Sequence, residues 1–185
     1  MLRKKLPIVL SLPLCNDNKK KPQESVGLKR IFNLENRIEY FKPTKKYEPS
    51  EVKLICACHF FSISQKKYNL DQKISICLFN NGDDQGLKNN SQARLTCSTE
   101  VIRDFYDLLT ALFIKLPGRI SLNTPISTSY SMPEHVTTSI PWLGIALDNN
   151  LFIDEQGRID DNKVNRLNEM WETAFSLMCK MQEWI

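Results

Sequence analysis

The chain has 185 residues, a soft prior for one domain with enough length to bury a core. No stretch approaches the roughly 20 apolar residues of a helical membrane span, so a soluble or peripheral protein is expected. The net charge of +4 hides an asymmetry: residues 1–53 hold 13 Lys/Arg against 6 Asp/Glu, whereas residues 54–185 hold 12 against 15. Such a basic leading third usually marks a solvated arm, whose commonest specific partners are nucleic acid or an anionic membrane.

The arm begins "MLRKKLPIVLSLPLC", with cations at Arg3, Lys4 and Lys5 ahead of a short apolar run. A secretion signal would need a longer helical stretch and a small residue at the cleavage point. Pro7 and Pro13 bracket this run, and Leu14 is too large for a lipoprotein-type cut before Cys15. Retention is expected, with residues 1–27 as a flexible basic and apolar arm and 28–185 as a single domain. Cations flanking an apolar run suit a lipid interface better than nucleic acid. The expected contacts with membrane or nucleocapsid are therefore Arg3, Lys4, Lys5, Leu6, Ile8, Val9 and Leu10, the second triplet Lys19, Lys20 and Lys21, and Lys29 and Arg30.

From residue 51 the texture becomes that of strands. "VKLICACHFFSI" and "KISICLF" are rich in β-branched and aromatic residues, "NNGDDQG" carries turn chemistry, and "ARLTC" reads as a third strand. "STEVIRDFYDLLTALFIKLPG" places apolar residues on one helical face over 98–116, stopped by Pro117 and Gly118. Leu109, inside the tyrosine-motif-like "YDLL", falls on that apolar face, which favours a structural reading. The Ser/Thr/Pro-rich segment over 120–140 reads as an exposed functional loop.

"WLGIAL", "NLFID" and "GRI" resemble short strands, and a final helix starts near Asp160 and Asp161. Its stripe of Val164, Leu167, Trp171, Ala174, Met178, Met181 and Ile185 suits core packing or an oligomer contact. Trp171, Met178, Met181 and Trp184 are the expected self-association residues. The fold class expected is α+β: a small, mainly antiparallel sheet with one long packed helix and a C-terminal helix.

Chemistry is scarce. Six glycines occur without the clustering a phosphate cradle needs, and two histidines, His59 and His135, stand beside nothing resembling an activated nucleophile. Cys56, Cys58 and His59 invite a zinc hypothesis, but on a strand the two thiols face one side and the imidazole the other. Of the six cysteines at 15, 56, 58, 77, 97 and 179, most lie in apolar runs and read as reduced core thiols. Neither a catalytic set nor a metal or cofactor is expected.

Local detail in the last third is similar to rhabdovirus matrix proteins, above all the short ones of plant-infecting members. "MPEHV", "IPWLGIAL", "DD" and "NEMWETAF" follow one another as in that family's C-terminal region. Pro133, Glu134 and His135 would open the region, Gly144 would mark its strand, and Met170 and Trp171 its helix. The resemblance implies a non-enzymatic structural protein of the virion and host cytoplasm. Such a protein condenses the viral ribonucleoprotein, links it peripherally to anionic membrane and forms homo-oligomers, with host proteins as further partners. No Pro-Pro-x-Tyr motif occurs. The competing reading is a virus-encoded nucleic-acid- or host-factor-binding protein, a silencing or interferon antagonist.

Overall fold

The computed structural model describes residues 4–12, 22–61, 73–80, 97–123 and 139–185. In chain order these form β1 (Ile8–Ser11), α1 (Pro22–Ile31), β2 (Glu39–Tyr40), β3 (Leu54–Phe61), β4 (Ile74–Phe79), α2 (Thr99–Leu112), β5 (Arg119–Leu122), β6 (Trp142–Asp148) and α3 (Asp161–Met181). A 3-10 turn, Asn149–Leu151, follows β6.

The protein is a mixed α/β structure built on one six-stranded sheet, in the order β2-β1-β3-β6-β4-β5. The expectation of a mainly antiparallel sheet is corrected. β1 runs parallel to both β2 and β3, β3 parallel to β6, and β4 parallel to β5; among the strands of the described residues only β4 and β6 pair antiparallel. The physical reason is burial on both faces. Strands covered twice read as continuous apolar runs rather than alternations, and every residue of β3, β4 and β6 is buried.

The division at residue 27 is also corrected. Leu6, Ile8, Val9 and Leu10 are each 5% exposed or less, because β1 lies inside the sheet between β2 and β3. Helix α1 then crosses residue 27, with Gly27 pressed so closely on Phe152 that an added Cβ would come within 2.4 Å of its ring.

The helices α1, α2 and α3 share one face of the sheet. One apolar cluster joins Ile8, Leu10, Cys56, Cys58, Ile76, Leu78, Leu143, Ile145 and Leu147 to Leu28, Ile31, Ile102, Phe105, Leu109, Leu167, Trp171 and Phe175. Ser98 caps α2 by accepting from the Val101 amide, and the helix ends at Leu112, one turn short of the sequence expectation. α3 packs across α1 and α2. From it Asn168 sends its side-chain amide to the carbonyls of Arg30, Ile31 and Asn33, closing the C-terminal end of α1.

The second face holds a separate cluster of Val9, Ile55, Ala57, Phe61, Ile74, Cys77, Phe79, Trp142 and Ala146, with Tyr47, Val52 and Ile140 from the connections. None of its members belongs to a helix. "NLFID" and "GRI" form the 3-10 turn and a single bridge, Ile153 to Ile159, rather than strands. "RISL" is strand β5, not the start of a loop. Most of "ARLTC" and of the 120–140 loop, His135 included, lies outside the described residues.

Candidate functional site

In sheets with parallel strands, ligands bind beyond the carboxyl ends, where strand order or direction switches. Here β1 ends at Ser11, β3 at Phe61 and β6 at Asp148, and β4 starts beside them at Ile74 running the other way. Five strand residues with polar side chains are buried: Ser11, His59, Ser75, Ser121 and Asp148. All five lie in the half of the sheet where β1, β3 and β6 finish.

Register brings most of them onto the second face. Ser11 pairs with Ala57, two positions before His59. His59 pairs with Ala146, Ala146 with Cys77, and Cys77 with Ser121, which makes a row across four strands at steps of about 4.8 Å. Asp148, opposite Phe61, lies one pleat beyond that row. Ala146 is the small residue within the row, and Gly144 lies one pleat before it on β6. An added Cβ at Gly144 would fall 2.1 Å from the Phe79 ring, which lies there and reaches His59 at a centroid distance of 5.1 Å.

Asp148 is the charged member. One carboxylate oxygen accepts from the Asn150 amide at 3.2 Å, and the other faces the Lys73 ammonium at 3.8 Å. Burial raises the carboxyl above its ordinary range, and the Asn150 amide and Lys73 offset part of that rise. Ser75 is the extra residue where β4 bulges against β5, between Ile74 and Ile76. Bulges re-aim side chains, and its hydroxyl is wholly buried without a hydrogen-bond partner. Gly118 fits beside it only because it lacks a Cβ, which would come within 2.9 Å of the Ser75 oxygen.

Among the described residues the arrangement offers hydrogen bonds and one loose charge pair. Burial pushes His59 down to about 3, leaving a neutral imidazole near pH 7. Burial likewise pushes the thiols of Cys97 and Cys179 up to about 12, and those of Cys56 and Cys58 well above the normal thiol range. The thiolate is the reactive form, so these groups are inert. All five described cysteines are unpaired and buried. Cys56 and Cys58 point to the helix side, His59 to the other, and among the described residues no three His, Cys, Asp or Glu side chains are placed to hold a metal.

The sequence-derived site residues scatter. Arg3, Lys19, Lys20 and Lys21 fall outside the described residues. Lys4 and Lys5 are exposed ahead of β1, Lys29 is exposed on α1, and Arg30 pairs with Asp161 at 2.6 Å. Trp171 and Met178 are core residues rather than self-association residues, Met181 is half exposed and Trp184 partly buried. Sequence reasoning missed Ser11, Lys73, Ser75, Ser121 and Asp148. Their signal was one polar residue set in each apolar run, as in "IVLS", "ISIC", "RISL" and "IALD".

No family model matches the chain, and no curated protein does. Among solved structures it is similar to the N-formylglutamate amidohydrolase from Ralstonia eutropha JMP134, at 9% identity over 99% of this chain and 95% of that one, with a TM-score of 0.49. A likeness of that degree is silent on activity and substrate. The matrix-protein expectation is corrected by the fold itself: the arm that was to enter a lipid interface is an interior strand. Leu6, Ile8, Val9 and Leu10 could reach lipid only by dismantling β1. Among the described residues no helix is long and apolar enough to cross a membrane.

Proposed function

We propose that the protein is a binding domain, not a catalyst, which takes a small polar ligand at the carboxyl ends of β1, β3 and β6. The observation that supports this is the gathering of buried polar side chains in one half of the sheet, with the Ser75 hydroxyl unpaired beside Asp148 and Lys73. An unpaired buried hydroxyl costs about 1–3 kcal/mol, a cost that a ligand group bonded to it would remove. The opposed charges of Asp148 and Lys73 favour a ligand carrying both donors and acceptors. The neutral His59 and the high thiols support binding over turnover.

Thermal unfolding with added amino acids and polyols tests the reading. A ligand should raise the melting temperature in proportion to RT ln(1 + [L]/Kd), and the rise should vanish in Asp148→Asn and shrink in Ser75→Ala. A stabilising probe whose effect survives both substitutions would remove the site from the proposal. If every probe leaves the midpoint unchanged, the polar half of the sheet is structural only.

A further inference from the structure

At the opposite end of the sheet, where β1, β2 and β3 begin, a cleft of about 280 Å³ is lined by four lysines, Lys4, Lys5, Lys45 and Lys53. Two carboxylates share its walls, Glu39 and Glu51. Glu39 is spent on Lys45, which it meets at 2.6 Å. Lys53 is steadied by donating to the Pro49 carbonyl at 2.8 Å, an uncharged partner. Lys4 and Lys5 make no ion pair or hydrogen bond among the described residues and are exposed. Three ammonium groups, of Lys4, Lys5 and Lys53, thus share the cleft with one unmatched side-chain carboxylate, that of Glu51.

Besides these charges the lining is Ser50 and apolar residues, among them Leu6, Val9, Val52, Ile185 and, beyond the last turn of α3, Trp184. The Leu6 amide donates to the Arg37 carbonyl and the Lys53 amide to the Pro7 carbonyl, which fixes the backbone at this end of β1 and β3. A concave site with an apolar floor and a few convergent charges is the usual form of a small-molecule pocket.

We propose that this cleft binds a small anion with a flat apolar body. Its phosphate or carboxylate sits among Lys4, Lys5 and Lys53, and its body lies against Trp184. Cation–π attraction and stacking favour an aromatic body there over an aliphatic one. The site is separate from the polar half of the sheet and does not depend on it. It also gives Lys4 and Lys5 a partner compatible with a buried β1, which a lipid bilayer is not.

The test uses the full chain and three probes: inorganic phosphate, AMP and benzoate. Binding is followed by calorimetry and by the indole N–H resonance of Trp184, assigned through Trp184→Phe. AMP or benzoate should bind and move that resonance, with inorganic phosphate at least tenfold weaker. The AMP and benzoate arms separate a phosphate source from a carboxylate source. Lys4→Gln/Lys5→Gln, both at exposed positions, should weaken binding at least tenfold, and the difference should shrink as salt rises. Trp184→Leu should bring the aromatic probe down to the affinity of phosphate, while Asp148→Asn should change nothing. The proposal is overturned by no binding of any probe, by equal affinity for all three, or by unchanged affinity in the double lysine variant with its melting temperature preserved. Should that variant fail to fold, Lys53→Gln carries the same expectation.

Discussion

Beneath the helices the strands present Ile8, Leu10, Cys56, Cys58, Ile76, Leu78, Leu143, Ile145 and Leu147, an unbroken apolar surface met by Trp171 and the phenylalanines around it. On the other side the same strands present Ser11, His59, Ser121 and Asp148 among Ala57, Gly144 and Ala146. Packing differs with polarity: bulk meets bulk under the helices, whereas the other side mixes Phe61, Phe79 and Trp142 with small residues and buried polar groups. One face is therefore built to hold the fold together. The other accepts buried polarity that a core built only for stability would exclude.

The comparison breaks most visibly at Trp171. Its ring lies 5.2 Å from Phe32, 5.3 Å from Phe113 and 5.6 Å from Phe175, centroid to centroid. Trp171→Ala should cost about 3–5 kcal/mol in denaturant unfolding. Trp171→Phe should cost less than its lost area implies, because the buried indole N–H has no acceptor. An alanine cost under about 1 kcal/mol would show that the helix face is not the main source of stability.

A second break follows from His59. Its folded value of about 3 lies below the ordinary 6.5, so the unfolded chain binds the extra proton first. Stability from the neutral imidazole is whole above about pH 6.5 and is lost as pH falls towards 3, by up to about 1.4 kcal/mol per pH unit. His59→Gln should flatten the acid limb of a stability profile, and an unaltered limb would mean that other groups control it.

Gly144 sharpens the contrast at a smaller scale. Gly144→Ala must displace the Phe79 ring and should cost about 1–3 kcal/mol. Phe79→Leu in the same chain should recover part of that loss, a coupling that a double-mutant cycle measures. The smallest effect belongs to Ser75. Removing its unpaired hydroxyl with Ser75→Ala should be neutral or stabilising by at most about 1 kcal/mol, whereas Ser98→Ala, which removes a helix cap, should cost about 1 kcal/mol. A loss at Ser75 equal to that at Ser98 would reveal a bond to the Ser75 hydroxyl.

The sequence made α2 and α3 legible and left α1 and the sheet's direction hidden. α2 and α3 carry a 3.6-residue stripe with capping residues at Ser98 and Asp160, and both formed within a few residues of their expected bounds. β3, β4 and β6 were visible as apolar runs, but a run buried on both sides has no alternation from which to read a partner. β1 was missed although "IVLS" is such a run, because the cations before it and the prolines around it favoured an arm. The polar half of the sheet was illegible for a further reason: Ser11, His59, Ser121 and Asp148 come together only through register across five strands, and no local pattern records register.

The place of β6 in the sheet has a consequence for how the chain is made. Residues up to Phe61 supply β2, β1 and β3, and residues 74–122 supply β4 and β5, yet among the described residues these two pieces pair in the sheet only through β6, which inserts between β3 and β4. During synthesis each piece therefore carries a bare strand edge, on Leu54–Phe61 and on Ile74–Phe79, until residues 142–148 emerge. Bare apolar edges template pairing with other chains. Pairings this distant in sequence also form slowly. The interval between translating β4 and docking β6 is thus when a newborn chain is most exposed to aggregation and most dependent on chaperones.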